Sequence, residues 1–204
     1  MTTKVSILSA FWNEEIFVDK VFDSVPRRKD IEIIARDDGS TDRTYEKMLA
    51  YKDAHPELNL TVLHDDVNHG CFYNVNRLLE CATGEYIHFL DGDDWLLTDA
   101  YSYAVDQLFG EDCVYIDLQI NNGYIFHLAP ETRKIFCAPT TKFVRREFAK
   151  GIWFPEDRIN DGDWFYNEEL LARNPNCKYT GIVAYHYNNP REGSLYDRKT
   201  KGLI

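Results

Sequence analysis

The first half of the chain alternates short apolar runs with helix-spaced segments, and this alternation restricts the fold more than any other feature of the sequence. "KVSILSAF" is mostly apolar and β-branched, and "NEEIFVDKVFDSV" after it carries Ile16, Phe17, Val21, Phe22 and Val25 at helical spacing. The isoleucine-rich run "IEIIARDD" breaks at Gly39, and a second helical pattern follows with Ser40 or Thr41 as its expected N-cap. "NLTVLHDD" predicts a third strand, "CFYNVNRLLECATG" a third helix with Gly84 just past its end, and "EYIHFLDGDDW" a fourth strand. Strands alternating with helices in this way predict a parallel sheet covered on both faces.

Beyond about residue 110 the rhythm changes. "CVYIDLQI" and "YIFHLA" read as strands joined by an Asn121-Asn122-Gly123 turn, and "CKYTGIVAYHYN" reads as a late strand. "TTKFVRREFAKG" and "DWFYNEELLARN" read as helices. The chain shows no internal repeat, low-complexity tract or linker. With 204 residues, 44% of them hydrophobic, it is long enough for one substantial core. The expectation is a single α/β domain over residues 1–204, with an α/β half over 1–110 and a more mixed half over 111–204.

Composition removes several classes of function. No window approaches the roughly 18 consecutive apolar residues of a membrane span, and acidic residues interrupt the N-terminal segment before it can form a signal peptide. Cytoplasmic residence is the resulting expectation. Cys71, Cys81, Cys113, Cys137 and Cys177 are odd in number and never form a C-x-x-C pair, so they read as reduced, mostly core thiols rather than a disulfide or zinc framework. A formal net charge of -11 disfavours broad attraction to nucleic acid or anionic lipid. Arg145, Arg146, Lys150, Arg191, Arg198, Lys199 and Lys201 leave room for a modest basic patch in the second half.

In an open parallel sheet, ligands bind beyond the carboxyl ends of the strands. Three such ends carry acidic or amide groups: Asn13 and Glu14 after the first strand, Asp37 and Asp38 after the second, and Asp91, Asp93 and Asp94 after the fourth. If those strands are neighbours, their carboxylates converge on one cleft. Gathered carboxylates repel, and a divalent cation is the simplest group to offset that repulsion. The D-x-D spacing puts Asp91 and Asp93 on one side of an extended chain, with Gly92 allowing close approach. Each motif also has a plain structural reading, as a solvated turn for "DGDD" and as a capped strand-to-helix turn for "RDDGSTD". Phosphate-binding alternatives lack their residues, because neither G-x-x-x-x-G-K-[ST] nor a G-x-G-x-x-G after a strand occurs.

Taken in order and spacing, "VSILSAFWNEE", "IIARDDGSTDRT" and "NHGCFYNVNRLLECATGEYIHFLDGDDWL" resemble the inverting family-two glycosyltransferases of GT-A fold. The resemblance implies a near-minimal catalytic domain with a Rossmann-like, mixed, mostly parallel central sheet flanked by helices. It implies that Asp38 contacts the uracil or ribose of a nucleotide diphosphate sugar, UDP-sugar by preference, with Asn13, Glu14 and Asp37 nearby. Asp91 and Asp93 would serve the ribose, the diphosphate and Mn²⁺ or Mg²⁺, with Asp94 as a further ligand or acceptor support. The family's base comes from an acidic pair opening a late helix, here "NDGDWFYNEELL". That stretch places Asp163 at the aspartate position and Gly162 where the usual glutamate stands, leaving Asp161 as the alternative base. "YHYNNPREGSLYD" resembles the family's terminal strand and polar segment, so His186 would reach the metal or diphosphate, and Arg191 and Ser194 the phosphates. Trp12, Phe72, Trp95, Trp153, Trp164 and Tyr187 are candidate stacking groups for sugar or base, though aromatics are more often core.

Other classes explain fewer of these residues. A nucleotidyltransferase would want a glycine-rich basic turn where Asn13-Glu14 stands. A non-catalytic nucleotide-sugar binding module would keep Asp38 and the D-x-D but lose the base, which the Gly162 departure keeps open. A glycoside hydrolase would use paired carboxylates without the nucleotide-site pattern. The expected acceptor is a glycan, a carrier-linked group or another hydroxyl-bearing molecule, and a nucleic-acid acceptor is not excluded.

Overall fold

The computed structural model describes residues 3–128, 138–158, 161–192 and 201. The front half runs β1 (Val5–Phe11), α1 (Val18–Asp23), β2 (Ile31–Asp38), α2 (Thr44–Ala54), β3 (Leu60–Asp65), α3 (Cys71–Cys81) and β4 (Tyr86–Phe89). After it come β5 (Trp95–Leu96), α4 (Thr98–Asp106), β6 (Cys113–Ile120), β7 (Ile125–Phe126), β8 (Lys142–Arg145), α5 (Arg146–Ala149), α6 (Gly162–Ala172) and β9 (Cys177–Tyr187).

Among the described residues these strands form one mixed sheet in the order β3-β2-β1-β4-β8-β6-β9-β5, with β7 paired to β6. The first four strands are parallel, with Phe11 opposite Asp37 and Leu8 opposite Phe89. β8 then lies antiparallel between β4 and β6, and β9 runs parallel to β6. Along the central strands neighbouring residues bury on opposite faces. Ile7, Ile33 and Tyr86 join Val21, Phe22 and Met48 in one core, while Leu8, Ile34 and Ile87 join Phe72, Phe154 and Tyr166 in the other. Burial on both faces is why these strands read as continuous apolar runs rather than alternating ones.

Four expectations change. "TTKFVRREFAKG" is not one helix: a short 3₁₀ turn precedes β8, and only Arg146–Ala149 is helical. Phe143 and Val144 face the two cores, so pairing with β4 and β6 overrides the helical spacing. α2 begins at Thr44 rather than after Ser40 or Thr41, and Asp42 accepts from the Thr44 N–H at 2.9 Å. Cys71 and Cys81 are exposed rather than core, Cys113 is buried, and Cys137 lies outside the described residues. The basic residues make no free patch among the described residues: Arg145 pairs with Asp112, Arg146 and Lys150 with Glu147, and Lys201 with Glu192. Arg198 and Lys199 lie outside the described residues.

Candidate active site

β2, β1 and β4 are neighbours, so the loops beyond their carboxyl ends open on one cleft. Asn13, with a left-handed φ of 56°, turns the chain out of β1. Its backbone N–H donates to Ser40 Oγ at 2.9 Å and its Oδ1 accepts from the Thr41 N–H at 2.8 Å, so Asn13 ties the first loop to the second. Glu14 points inward, and its carboxylate accepts from Arg191 at 3.0 Å. Burial and the Asp93 charge raise the Glu14 carboxyl to about 7, against the pull of Arg191.

The "DGDD" turn leaves β4 against the end of β1. A Cβ on Gly92 would lie 2.8 Å from the Ala10 carbonyl oxygen, a backbone atom that cannot yield, so only glycine lets the turn sit there. Its three aspartates have three environments. Asp91 is solvent-exposed. The protein around it, then the charges of Asp93, Asp163 and Glu14, nevertheless push its carboxyl up to about 8. Asp93 pairs with Arg191 at 2.7 Å, the same guanidinium nitrogen that reaches Glu14. Asp94 is fully buried, and neither of its oxygens is free: Tyr185 OH donates to Oδ2 at 2.6 Å and the Asn188 N–H to Oδ1 at 2.8 Å. Burial first, then Asp91 and Asp93, holds its carboxyl well above the usual range. The geometry makes Asp94 a brace of the turn.

His186 is likewise built into the wall. Its ring stacks on Trp95 at 4.0 Å and its Nε2 contacts Asn121 Oδ1 at 2.9 Å, while Lys20 Nζ lies 3.0 Å from the Trp95 ring centroid. Asp37 is buried, and its Oδ2 takes the Ser40 N–H at 3.1 Å and lies 3.0 Å from His64 Nδ1. Asp38 accepts from the backbone N–H groups of His69 at 2.7 Å and Gly70 at 3.0 Å, which pins the loop entering α3. Cys71 opens α3, and enclosure of its sulfur by the protein around it, then the charges of Asp91, Asp163 and Asp38, raises its thiol. The end of β2 and the start of α6 thus meet the start of α3, through Asp38 on the Gly70 N–H and Gly162 against Phe72.

On the opposite wall, α6 opens with the two candidate bases. Asp161 is exposed and held outward by Arg158 at 2.6 Å, whose guanidinium also stacks on Phe165. Asp163 faces the cleft, where its charge acts on Asp91 and burial raises its own carboxyl to about 6, against the opposing charge of Lys142. Between them, a Cβ on Gly162 would fall 2.5 Å from the Phe72 ring, which stacks on Phe154. Any side chain at this position has to shift that ring. Ser194 lies outside the described residues. Of the candidate stacking aromatics, Phe72 is core, Trp95 is capped by His186 and Lys20, and Trp12, Trp153 and Trp164 are exposed.

Tyr185, Asn188 and Asn121 are site-building residues that the sequence reading passes over. Tyr185 sits next to His186 in a tyrosine-rich strand, and nothing in the spacing separates the residue that packs from the residue that bonds. Among the described residues, no three His, Cys, Asp or Glu side chains form a metal-binding group. Asp91 and Asp93 remain as two oxygen donors on one turn, and a hard cation that keeps water and phosphate oxygens in its shell needs only one or two protein carboxylates. The donor set fits Mg²⁺ or Mn²⁺.

Residues 6–164 match the family profile described as Glycosyl transferase family 2. The chain is 26% identical over 212 residues to the poly(ribitol-phosphate) beta-N-acetylglucosaminyltransferase TarS of Staphylococcus aureus, covering 93% of this chain and 36% of that protein. It is 28% identical over 214 residues to the UDP-Glc:alpha-D-GlcNAc-diphosphoundecaprenol beta-1,3-glucosyltransferase WfaP of Escherichia coli, covering 98% of this chain and 82% of that one. In fold it is similar to crystalline S. aureus TarS 1-349 in complex with UDP-GlcNAc, with a TM-score of 0.79 at 23% identity over 94% of this chain and 60% of that one. The mannosyltransferase PcManGT from Pyrobaculum calidifontis, in complex with GDP-Man and Mn²⁺, gives a TM-score of 0.74 at 18% identity, over 95% and 59%. The mixed, helix-flanked sheet is therefore the GT-A fold.

Proposed function

The chain belongs to glycosyl transferase family 2, and from this we propose that it is a metal-dependent inverting glycosyltransferase that moves a sugar from a UDP-sugar to an acceptor hydroxyl. The observation that carries the reading is the meeting of Asp38, the Asp91–Asp93 turn and Asp163 around one cleft, from three segments far apart in sequence. A nucleotide site alone would not need an acidic group on the facing helix.

In this reading Asp38 shapes the uridine end of the cleft through the loop it pins, its two oxygens holding the His69 and Gly70 N–H groups. Glu14 lies nearer the D-G-D-D turn, where it shares Arg191 with Asp93. Asp91 and Asp93 would hold a Mg²⁺ or Mn²⁺ ion, whose bound charge neutralises the departing diphosphate. Arg191 adds a fixed positive charge at the same place, already 2.7 Å from Asp93. Asp163, from the opposite wall, takes the proton of the acceptor hydroxyl as that oxygen attacks the anomeric carbon from the face away from the leaving group. Arg158 keeps Asp161 out of that role.

The names of the relatives, one for poly(ribitol-phosphate) and one for a diphosphoundecaprenol-linked sugar, support a glycan or carrier-linked acceptor. The division of labour proposed is donor binding chiefly by residues 1–110 and acceptor binding by 111–204, with Arg191 returning from the second half to the diphosphate end. No helix among the described residues is long and apolar enough to cross a membrane, and cytoplasmic residence is proposed with it.

A thermal-shift screen of nucleotide diphosphate sugars with and without Mn²⁺ tests the reading. Metal-dependent stabilisation by a UDP-sugar, lost in Asp93→Ala, is the expected result. No stabilisation by any nucleotide would overturn it.

A further inference from the structure

We propose that Tyr185 is a positioning residue for the donor diphosphate and its cation, its hydroxyl locking the Asp91–Asp94 turn to the Asn188–Arg191 arm. The inference rests on the donor site proposed above and assigns work to a residue that touches no donor atom. Tyr185 is fully buried in β9. Its hydroxyl accepts from the Asp91 N–H at 3.2 Å and donates to Asp94 Oδ2 at 2.6 Å, so one oxygen grips both ends of the D-G-D-D turn. The second Asp94 oxygen takes the Asn188 N–H at 2.8 Å and so binds the chain just past β9 to the same carboxylate.

From there the arm is held on its other side by Asn121, whose Nδ2 donates to Asn188 Oδ1 at 3.0 Å and to the Pro190 carbonyl at 3.2 Å. Three residues past Asn188, Arg191 reaches back to Asp93 at 2.7 Å and Glu14 at 3.0 Å. The connection is a closed ring: turn to hydroxyl, hydroxyl to buried carboxylate, carboxylate to arm, and arm through Arg191 to the turn. A ring of this kind fixes two acidic donors and one basic group relative to each other before any ligand arrives, and outer partners of this sort govern how well metal ligands are aimed. The nucleoside end of the cleft, built from Asp38 and the loop before α3, is outside it.

The test compares wild type with Tyr185→Phe, which keeps the ring among His88 and its neighbours and removes only the hydroxyl. Calorimetric titration with UDP in Mn²⁺ reads the diphosphate end, and titration with UMP reads the nucleoside end. The expected result is a loss of about 10–100-fold in UDP affinity and in the apparent Mn²⁺ affinity, with UMP affinity held within about two-fold. Equal losses for UDP and UMP, or no loss for either, would overturn the proposal, since a packing role moves both together or neither. Should Tyr185→Phe fail to fold, Asp94→Asn is read by the same ratio. A wild-type protein that binds neither nucleotide sinks the donor site itself, and this inference falls with it.

Discussion

Asp161 and Asp163 are two positions apart and differ in everything that matters to a base. Asp161 is solvent-exposed and tied to Arg158 in an ion pair at the surface. Asp163 is raised to about 6 by burial, close to neutral pH, where a general base combines a deprotonated resting state with a useful pull on a hydroxyl proton. Asp163→Asn is expected to lower turnover by about 10²–10⁴-fold while leaving UDP affinity intact, whereas Asp161→Asn changes turnover by less than about ten-fold. Single-turnover transfer assays beside nucleotide titrations check both. Wild-type turnover should fall as pH drops below about 6, because protonated Asp163 is far too weakly basic to take the acceptor proton. A flat profile from pH 5 to 7 would overturn the assignment. Both aspartates were legible in the sequence as the acidic start of a helix. Their difference depends on Arg158, Lys142 and the cleft wall, which no spacing rule supplies.

α6 is positioned by what its first residue lacks. Gly162 lies directly against Phe72, and that ring is itself sandwiched in the core with Phe154 and Tyr166 behind it. A methyl group here has to displace packed aromatic rings, and overpacking of this kind costs about 1–3 kcal/mol. Gly162→Ala should therefore lower the urea midpoint and, by tilting the helix start, reduce turnover more than nucleotide affinity. Unchanged stability would show that Phe72 yields freely. The same contrast between pattern and packing separates β8 from its expected helix. "TTKFVRREF" carries a helical spacing, but Lys142–Arg145 fills the gap between β4 and β6, where backbone pairing and burial of Phe143 and Val144 decide the conformation.

Across the molecule, the cleft gathers carboxyls, of which Arg191 pairs directly with two, Asp93 and Glu14. Glu14, Asp91 and Asp163 have carboxyls raised to about 7, 8 and 6, above the values they regain on unfolding. Between the two values the folded state holds protons that the unfolded chain has released, so stability from these groups is full below about pH 4 and drains away as pH rises toward 8. Asp30, Asp42 and Asp112 act in the opposite sense, their carboxyls lowered in the fold, and their contribution is lost on the acid side. Greatest stability of the unliganded chain is expected at mildly acidic pH, with the melting temperature falling by roughly 2–4 °C for each kcal/mol lost toward pH 8. Mn²⁺ with UDP should flatten that fall, and melting curves at pH 5.5 and 8 in both states check it. Local periodicity and chain polarity govern the order of strands and helices in the front half and the placing of acidic residues at strand ends, so both are legible in the residues. What each carboxylate does is set by partners from distant elements. Asp94 and Asp91 stand three residues apart on one turn, yet one is buried under Tyr185 and the other opens to the cleft, and the partners responsible arrive from β9, almost a hundred residues later, where no local pattern reaches.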